Sequence, residues 1–341
     1  MERYGIGVDL GGTKILAGVV ELETGTVVSS AKKRTVPTPK DNKEKDGKDK
    51  EKENDLAKRI GDAIDEALAV AKLPSNTRFS GIGVGAAGQV DRSEKILVFA
   101  PNLGVKPNYA LGQLLGERFN LPVSLGNDVE AATIGELHFG AGKGCADFVC
   151  IFTGTGIGSG IVQNGQLRRG ATGTAGEVGH MVVAAEGRLC GCGGRGHLEA
   201  YASRTAITRT LLGELKRGRK SVLTELLEGA SMPDPTSASS VAIRSKVIAK
   251  AIEADDELVK HVVREAAEFL GLGLASVINF YNPERIILGG GLMEAVDYLF
   301  NITVREAKWE ALRLPASQIE ITRTGLGDFS GLIGAALLTT R

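Results

Sequence analysis

Short apolar runs closed by glycine turns recur along the chain, and they predict strands. Residues 4–20, Y-G-I-G-V-D-L-G-G-T-K-I-L-A-G-V-V, place branched residues on either side of a Gly-Gly turn. A P-loop or a dinucleotide fingerprint needs a helix after its glycines. Here Ile15 to Val20 reads as a second strand, so the stretch predicts a hairpin whose tip can cradle phosphate through backbone N–H groups. Residues 148–162, F-V-C-I-F-T-G-T-G-I-G-S-G-I-V, repeat the design. Gly154-Thr155 aligns with Gly12-Thr13 at an offset of roughly 140 residues, the scale of a duplicated domain rather than a short solenoid repeat. Two hairpins that each present glycine amides can grip one nucleotide from opposite sides of a cleft. This internal echo points to a two-lobed phosphotransferase.

Other runs fill in the frame. Leu56, Ile60, Ile64 and Leu68 share one face of a helix that Asp55 caps and that ends before Pro74. G-I-G-V-G-A-A-G-Q-V-D is a strand entering a turn at Gly88. A strand over 122–126 delivers Asn127 and Asp128 at its C-terminal edge, where a helix begins; an Asn-Asp there also suits a plain N-cap. Residues 200–280 are mostly helical, with P-D-P-T-S-A-S-S as a loop. R-I-I-L-G-G-G-L-M-E reads as a buried strand, the triplet Gly289-Gly290-Gly291 and a helix start. Such a turn favours phosphate or a flat ring, or is simply a tight strand-to-helix connection. A helix closes the chain from Gly331 to Leu338. Residues 40–55 are a mixed-charge run without an apolar residue, which can bury nothing and reads as a solvated or disordered loop.

Composition narrows the class. At 341 residues and 43% hydrophobic, the chain can bury a large core and divide into two domains. Lys+Arg 41 against Asp+Glu 41 leaves no net charge, so nothing points to nucleic acid or an anionic membrane surface. No apolar run reaches a bilayer's width, and the N-terminus lacks the charge-then-apolar order of a signal peptide. Of the four cysteines, Cys145 and Cys150 flank or lie in the apolar stretch A-D-F-V-C-I-F and read as buried thiols. No disulfide framework is suggested, which fits a cytoplasmic protein.

The densest chemistry lies in residues 176–199, G-E-V-G-H-M-V-V-A-A-E-G-R-L-C-G-C-G-G-R-G-H-L-E. His180, Cys190, Cys192 and His197 are soft-metal ligand types, bracketed by Glu177 and Glu199. Two thiolates and two imidazoles suit tetrahedral zinc, and four protein ligands close such a site. The spacing is not that of a zinc finger or ribbon. A glycine-rich turn with two reduced thiols and two surface histidines accounts for the same letters.

In combination these motifs resemble the repressor–ORF–kinase (ROK) family of bacterial sugar kinases. The family's zinc motif reads E-x-G-H, then C-x-C-G-x-x-G-C-x-E, and this chain matches every fixed position except that His197 replaces the third cysteine. D-x-G-G-T-K at 9–14 resembles the first phosphate motif of ROK and actin-like ATPases. Ala87-Gly88 stands where the family often has Pro-Gly, a form found in its glucokinase-like members.

The resemblance implies an α/β, actin-like (RNase H-like) fold with an internal duplication and two lobes around a cleft. The lobes would be residues 1–126 plus the C-terminal helix, 328–341, and residues 127–327. It implies transfer of the γ-phosphoryl group of ATP to a hexose, O6 of glucose first; N-acetylmannosamine, N-acetylglucosamine and fructose kinases share the pattern. Asp128 would be the catalytic base. Asn102, Asn127, Glu177, His180 and Glu199 would join it on the sugar. Asp9 would hold Mg²⁺ through water. Gly11, Gly12, Thr13 and Lys14, with Thr153, Gly154, Thr155 and Gly156, would approach the nucleotide phosphates, and Gly289, Gly290 and Gly291 the nucleoside. His180, Cys190, Cys192 and His197 would hold a structural Zn²⁺, with one His180 nitrogen on the ion and the other on the sugar. Polyphosphate is an alternative donor in the family, and a homodimer or homotetramer is expected. ROK repressors carry an N-terminal helix-turn-helix, for which a first strand at Tyr4 leaves no room. A sugar sensor without catalysis would not need Asp9, Asp128 and both phosphate turns.

Overall fold

The computed structural model describes residues 3–35, 56–227 and 243–340. The charged run at 40–55, the Asp55 cap and the loop at 233–240 lie outside the described residues. The chain forms two compact units, Met1–Gly144 with Asp328–Arg341, and Cys145–Gly327.

The first unit holds β1 (Tyr4–Leu10), β2 (Lys14–Glu21), β3 (Thr26–Arg34), β4 (Phe79–Ala86), the short pair β5 (Gln89–Asp91) and β6 (Ile96–Phe99), and β7 (Val123–Asn127). Five of these form one sheet in the order β3-β2-β1-β4-β7. The β1–β2 and β2–β3 pairs are antiparallel, whereas β1–β4 and β4–β7 are parallel. The second unit holds β8 (Phe148–Thr153), β9 (Ile157–Gln163), β10 (Gln166–Arg168), β11 (Arg285–Gly289) and β12 (Glu320–Arg323), in the order β10-β9-β8-β11-β12. Its pairs run antiparallel, antiparallel, parallel and parallel in the same places. The echo between the two glycine hairpins is therefore the visible part of a duplicated sheet. β1 and β8 are buried along nearly their whole length, as their continuous apolar runs require of a strand covered on both faces.

In the first unit, α1 (Leu56–Ala71) buries Leu56, Ile60 and Ile64 against β2 and β3, the face its spacing predicts. The helices α2 (Leu111–Phe119) and α3 (Asp128–Phe139) follow. The C-terminal helix, Ser330–Leu337, is buried at every position, and it packs on β1, β4 and α3. Small residues allow this. A Cβ on Gly7 would overlap the Leu332 carbonyl, and one on Gly334 would overlap the Ala131 carbonyl. Glu136, fully buried on α3, ties these helices together by accepting from Ser330 Oγ at 2.7 Å and from the Ala141 N–H at 2.7 Å.

The first unit runs on to Gly144, past the expected break after residue 126. The reason is packing: α3 buries Ala131, Ile134 and Gly135 against its own sheet and the C-terminal helix, so it cannot belong to the other lobe.

The second unit is built on the long helix Glu257–Tyr281, capped by the Asp256 carboxylate, which accepts from the Val259 N–H. Its apolar face meets Val149, Ile151 and Leu198 in one core. Cys150 is buried as expected. Cys145 is only half-buried, because it precedes β8 rather than lying in it, and burial still raises its thiol pKa.

Candidate active site

The parallel strands of the first unit bring three sequence-distant motifs side by side. Asp9 lies near the end of β1, in register with Gly85 of β4, while Ala86 of β4 pairs with Asn127 at the end of β7. A Cβ on Gly85 would sit 3.4 Å from Asp128 Cα. The two candidate carboxylates thus share the C-terminal edge of one sheet, where open α/β sheets bind ligands. Desolvation pushes the Asp9 carboxyl up to about 6, assisted by the like charges of Asp128 and Asp328 and opposed by Lys14. Desolvation also raises Asp128 to about 6, against hydrogen bonds from the Val129 N–H and the Asn127 side chain. Strongly perturbed carboxylates on one sheet edge are the signature of a functional site.

Asn127 is the N-cap of α3, as one reading of the sequence allowed. Its Oδ1 accepts from the Val129 N–H at 2.9 Å and the Glu130 N–H at 3.3 Å, completing a capping box with Glu130. Its Nδ2 donates to the Gly88 carbonyl at 3.3 Å and also serves the Asp128 carboxylate, so the amide ties the turn at Gly88 to the candidate base. Asn102, exposed on the single turn Pro101–Leu103, approaches the first glycine hairpin: a Cβ on Gly12 would lie 3.2 Å from Asn102 Cβ.

Both glycine turns are braced while their tips stay open. In the first, the Gly11 N–H donates to the Lys14 carbonyl and Thr35 Oγ1 donates to the Gly11 carbonyl. Lys14 Nζ is 3.4 Å from Asp328, and Thr13 is exposed. In the second, the Gly154 N–H donates to the Gly156 carbonyl, and Thr153 Oγ1 donates to the Gly289 carbonyl at 3.3 Å. Among the described residues, the N–H groups of Gly12, Thr13, Thr155 and Gly156 meet no acceptor. Gly290, at φ +90°, lies so close to Thr153 that a Cβ would strike its backbone. The triple glycine and the second turn therefore abut at the ends of β8 and β11.

The segment 177–199 folds into tight turns that turn four ligand atoms toward one point. His180 Nδ1 and His197 Nδ1 are 3.4 Å apart, Cys190 Sγ is 3.8 Å from His180 Nδ1, and Cys192 Sγ is 3.2 Å from His197 Nδ1. All four ligand atoms lie within 4.8 Å of one another. A tetrahedral zinc with bonds of about 2.0–2.3 Å spaces its ligand atoms roughly 3.3–3.8 Å apart, so the residues fit that ion. The bare Gly194 is necessary, since a side chain there would collide with the His197 ring. Burial pushes the Cys190 thiol up to about 11, with a backbone hydrogen bond from Cys192 opposing and the Glu199 charge adding. Leu198, Ala200 and Tyr201 are buried, and the Tyr201 ring packs 4.0 Å from that of Phe269 on the long helix.

His180 turns Nδ1 to the cluster and leaves Nε2 3.8 Å from Glu177 Oε2. Glu199 is more committed than its sequence position suggests. Its Oε2 accepts from the Ile157 N–H at 2.8 Å, and its Oε1 takes a weak 3.7 Å bond from the Cys190 thiol. Sequence reasoning missed the Ile157–Glu199 link and the residues that follow it. The Arg204 N–H donates to the Gly154 carbonyl at 2.9 Å, Arg204 Nη2 to Thr155 Oγ1 at 3.2 Å, and Thr205 Oγ1 to the Thr155 carbonyl at 2.7 Å. The only signal for them was a cation and a hydroxyl at a helix start just beyond the C-x-C stretch.

Duplicated five-stranded sheets of this order, each with a glycine hairpin between its first two strands, make this an actin-like ATPase fold. The sequence matches the ROK family over residues 5–341, and the chain belongs to that family. It is 34% identical over 332 residues to a glucokinase of Streptomyces coelicolor, covering 97% of this chain and 96% of that protein. A ROK family glucokinase from Streptomyces griseus, solved in complex with glucose and AMPPNP, superposes with a TM-score of 0.76. It shares 34% identity, covering 98% of both chains. Regulators occur among the relatives too: a xylose repressor of Caldicellulosiruptor bescii is 32% identical over 71% of this chain and 57% of its own length. Taken together the relatives support a ROK sugar kinase. Among the described residues, no helix is long and apolar enough to cross a membrane.

Proposed function

We propose that this protein transfers the γ-phosphoryl group of ATP to a hexose, with O6 of glucose as the first acceptor to test. The observation that carries the reading is the pair Asp9 and Asp128 on one sheet edge, both raised to about 6, beside a hairpin with free amides. The glucokinase relative solved with glucose and AMPPNP supports it.

Phosphoryl transfer asks for in-line placement, charge neutralisation and a carboxylate to receive the hydroxyl proton. Asp128 takes that proton. A carboxylate near 6 is a stronger base than an ordinary one and is still ionised at neutral pH. Asp9, raised first by desolvation and then by the like charges of Asp128 and Asp328, would be a fitting ligand for Mg²⁺, an oxygen-seeking cation that would supply charge neutralisation on the donor phosphates. In the first unit Gly11, Gly12, Thr13 and Lys14 are the phosphate-binding candidates; in the second, Thr153 to Gly156 are the phosphate-binding candidates and Gly289 to Gly291 the nucleoside-binding ones. Asn102 and Asn127 are the sugar-binding candidates beside Asp128 in the first unit, and Glu177, His180 Nε2 and Glu199 Oε1 are those of the second. His180, Cys190, Cys192 and His197 would hold one Zn²⁺ as a structural clamp that directs the His180 ring.

Phe280, Trp309, Leu312 and Leu314 stand exposed, and the Leu312 N–H donates to Asn279 Oδ1, which sets the start of the helix Arg313–Gln318 beside the end of the helix Glu257–Tyr281. A surface of this kind favours a homodimer or homotetramer.

A coupled phosphorylation assay tests the reading, run over glucose, fructose, N-acetylglucosamine and N-acetylmannosamine with ATP and with polyphosphate. Glucose with ATP is expected to give the highest kcat/KM, and Asp128→Asn to lose more than nine-tenths of kcat while still binding sugar. A protein that binds sugar but phosphorylates none of the panel with either donor is a sensor or regulator, not a kinase.

A further inference from the structure

The second glycine turn carries a cation that the reading above leaves unused. Arg204 is the first residue of the helix Arg204–Lys216, directly after the N-cap Ser203. Its backbone holds the Gly154 carbonyl and its guanidinium holds Thr155 Oγ1, while Thr205 holds the Thr155 carbonyl. The helix start and the turn are thus locked together by three hydrogen bonds, and the guanidinium rests against the Thr155 hydroxyl.

This is an unfavourable place for a cation. Nε of Arg204 is buried and meets no acceptor. Desolvation is the sole cause acting on its pKa, which it lowers, and among the described residues no carboxylate offsets it. The positive end of a helix dipole opposes it as well. An uncompensated, partly desolvated charge is costly in a folded protein. It becomes favourable when a ligand brings the missing anion, because charge-assisted bonds from guanidinium to phosphate are short, strong and often bidentate. The turn supplies two further donors for such a ligand, the free N–H groups of Thr155 and Gly156.

We propose that Arg204 is a ligand for the phosphoanhydride chain of the phosphoryl donor, its guanidinium and the Thr155 and Gly156 amides converging on the donor's phosphate oxygens. The assignment rests on reading the 153–156 turn as a phosphate cradle. Arg204 would engage phosphate oxygens only, so it discriminates by phosphate charge and not by base. It would serve a short polyphosphate as readily as ATP.

The test is equilibrium binding of MgATP, MgADP, adenosine and tripolyphosphate to the wild type, Arg204→Met and Arg204→Lys, with glucose binding as a second readout. Arg204→Met keeps the length and apolar stem of the side chain and removes its charge. Loss of a charge-assisted phosphate bond is expected to weaken ATP, ADP and tripolyphosphate by about ten- to a hundred-fold. Adenosine and glucose should change less than about twofold, since neither carries phosphate, and Arg204→Lys should recover part of the loss. Unchanged ATP affinity in Arg204→Met would overturn the assignment. So would an equal loss for ATP and adenosine, which would show that Arg204 only shapes the turn. If the wild type itself binds ATP no better than adenosine, the cradle reading fails and takes this assignment with it. A discriminating wild type with an indifferent Arg204→Met defeats the assignment alone.

Discussion

Asp128 meets two opposing demands at one carboxylate. It must be ionised to accept a proton, yet its surroundings penalise ionisation and raise its pKa to about 6. For a reaction that needs this carboxylate as base, kcat/KM should fall about tenfold per pH unit below an apparent pKa near 6. A pH profile whose acid limb has its midpoint below 5 would show that the desolvated carboxylate is not the base. The same shift has a stability consequence of definite sign. Below the unfolded value of about 4, both states are protonated and Asp128 contributes nothing. As pH rises through 4 to 6 the unfolded chain ionises first, so the folded state loses stability, and the loss is complete above 6. Asp128→Asn should therefore be more stable than the wild type at pH 8, by on the order of 1–2 kcal/mol, with the gap closing near pH 4. Denaturant titrations of metal-free protein at the two pH values measure this difference. Asn127 shows how one letter can serve twice, since the oxygen of the side chain caps α3 while its amide donates to the Gly88 carbonyl and to Asp128.

At the scale of elements, the two most constrained pieces are the C-terminal helix and the Cys/His segment 177–199, and each is held by what its glycines leave out. Gly334→Ala would force a methyl group into the Ala131 carbonyl, so it should destabilise by about 1–3 kcal/mol as the helices part. Gly213→Ala is the control: it lies within the helix Arg204–Lys216 with open space where a Cβ would go, and should stabilise by about 0.5–1 kcal/mol. Melting of the two variants should move in opposite directions. For the metal segment, purified protein should contain one zinc per chain. His197→Ala should weaken its retention, and His197→Cys, which supplies the family's third thiolate, should keep both metal and activity. Chelation should lower sugar affinity more than ATP affinity, because Glu177 and His180 lie on the segment that loosens. A zinc-free protein with full sugar affinity would reduce residues 177–199 to a glycine-rich turn.

Over the whole molecule, the exposed side chains Phe280, Trp309, Leu312 and Leu314 predict that Phe280→Asp shifts the protein to a smaller species in sedimentation, with the fold retained. An unchanged mass would assign the patch no part in assembly. The sequence by itself determined the strands, hairpins, helical faces and motif order, because these depend on local periodicity and on residues close together in the chain. It also showed the duplication, since both copies keep the same strand–turn–strand letters. Three things needed the tertiary structure. The unit boundary at Gly144 follows from where α3 buries its side chains, which periodicity does not encode. The four ligand atoms within 4.8 Å follow from tight turns that leave the spacing unlike any metal finger. The raised carboxylates and the desolvated guanidinium of Arg204, which meets no carboxylate among the described residues, depend on burial and on neighbours brought in from far along the chain. A sequence lists charges, but only the packed chain decides which of them lose their water.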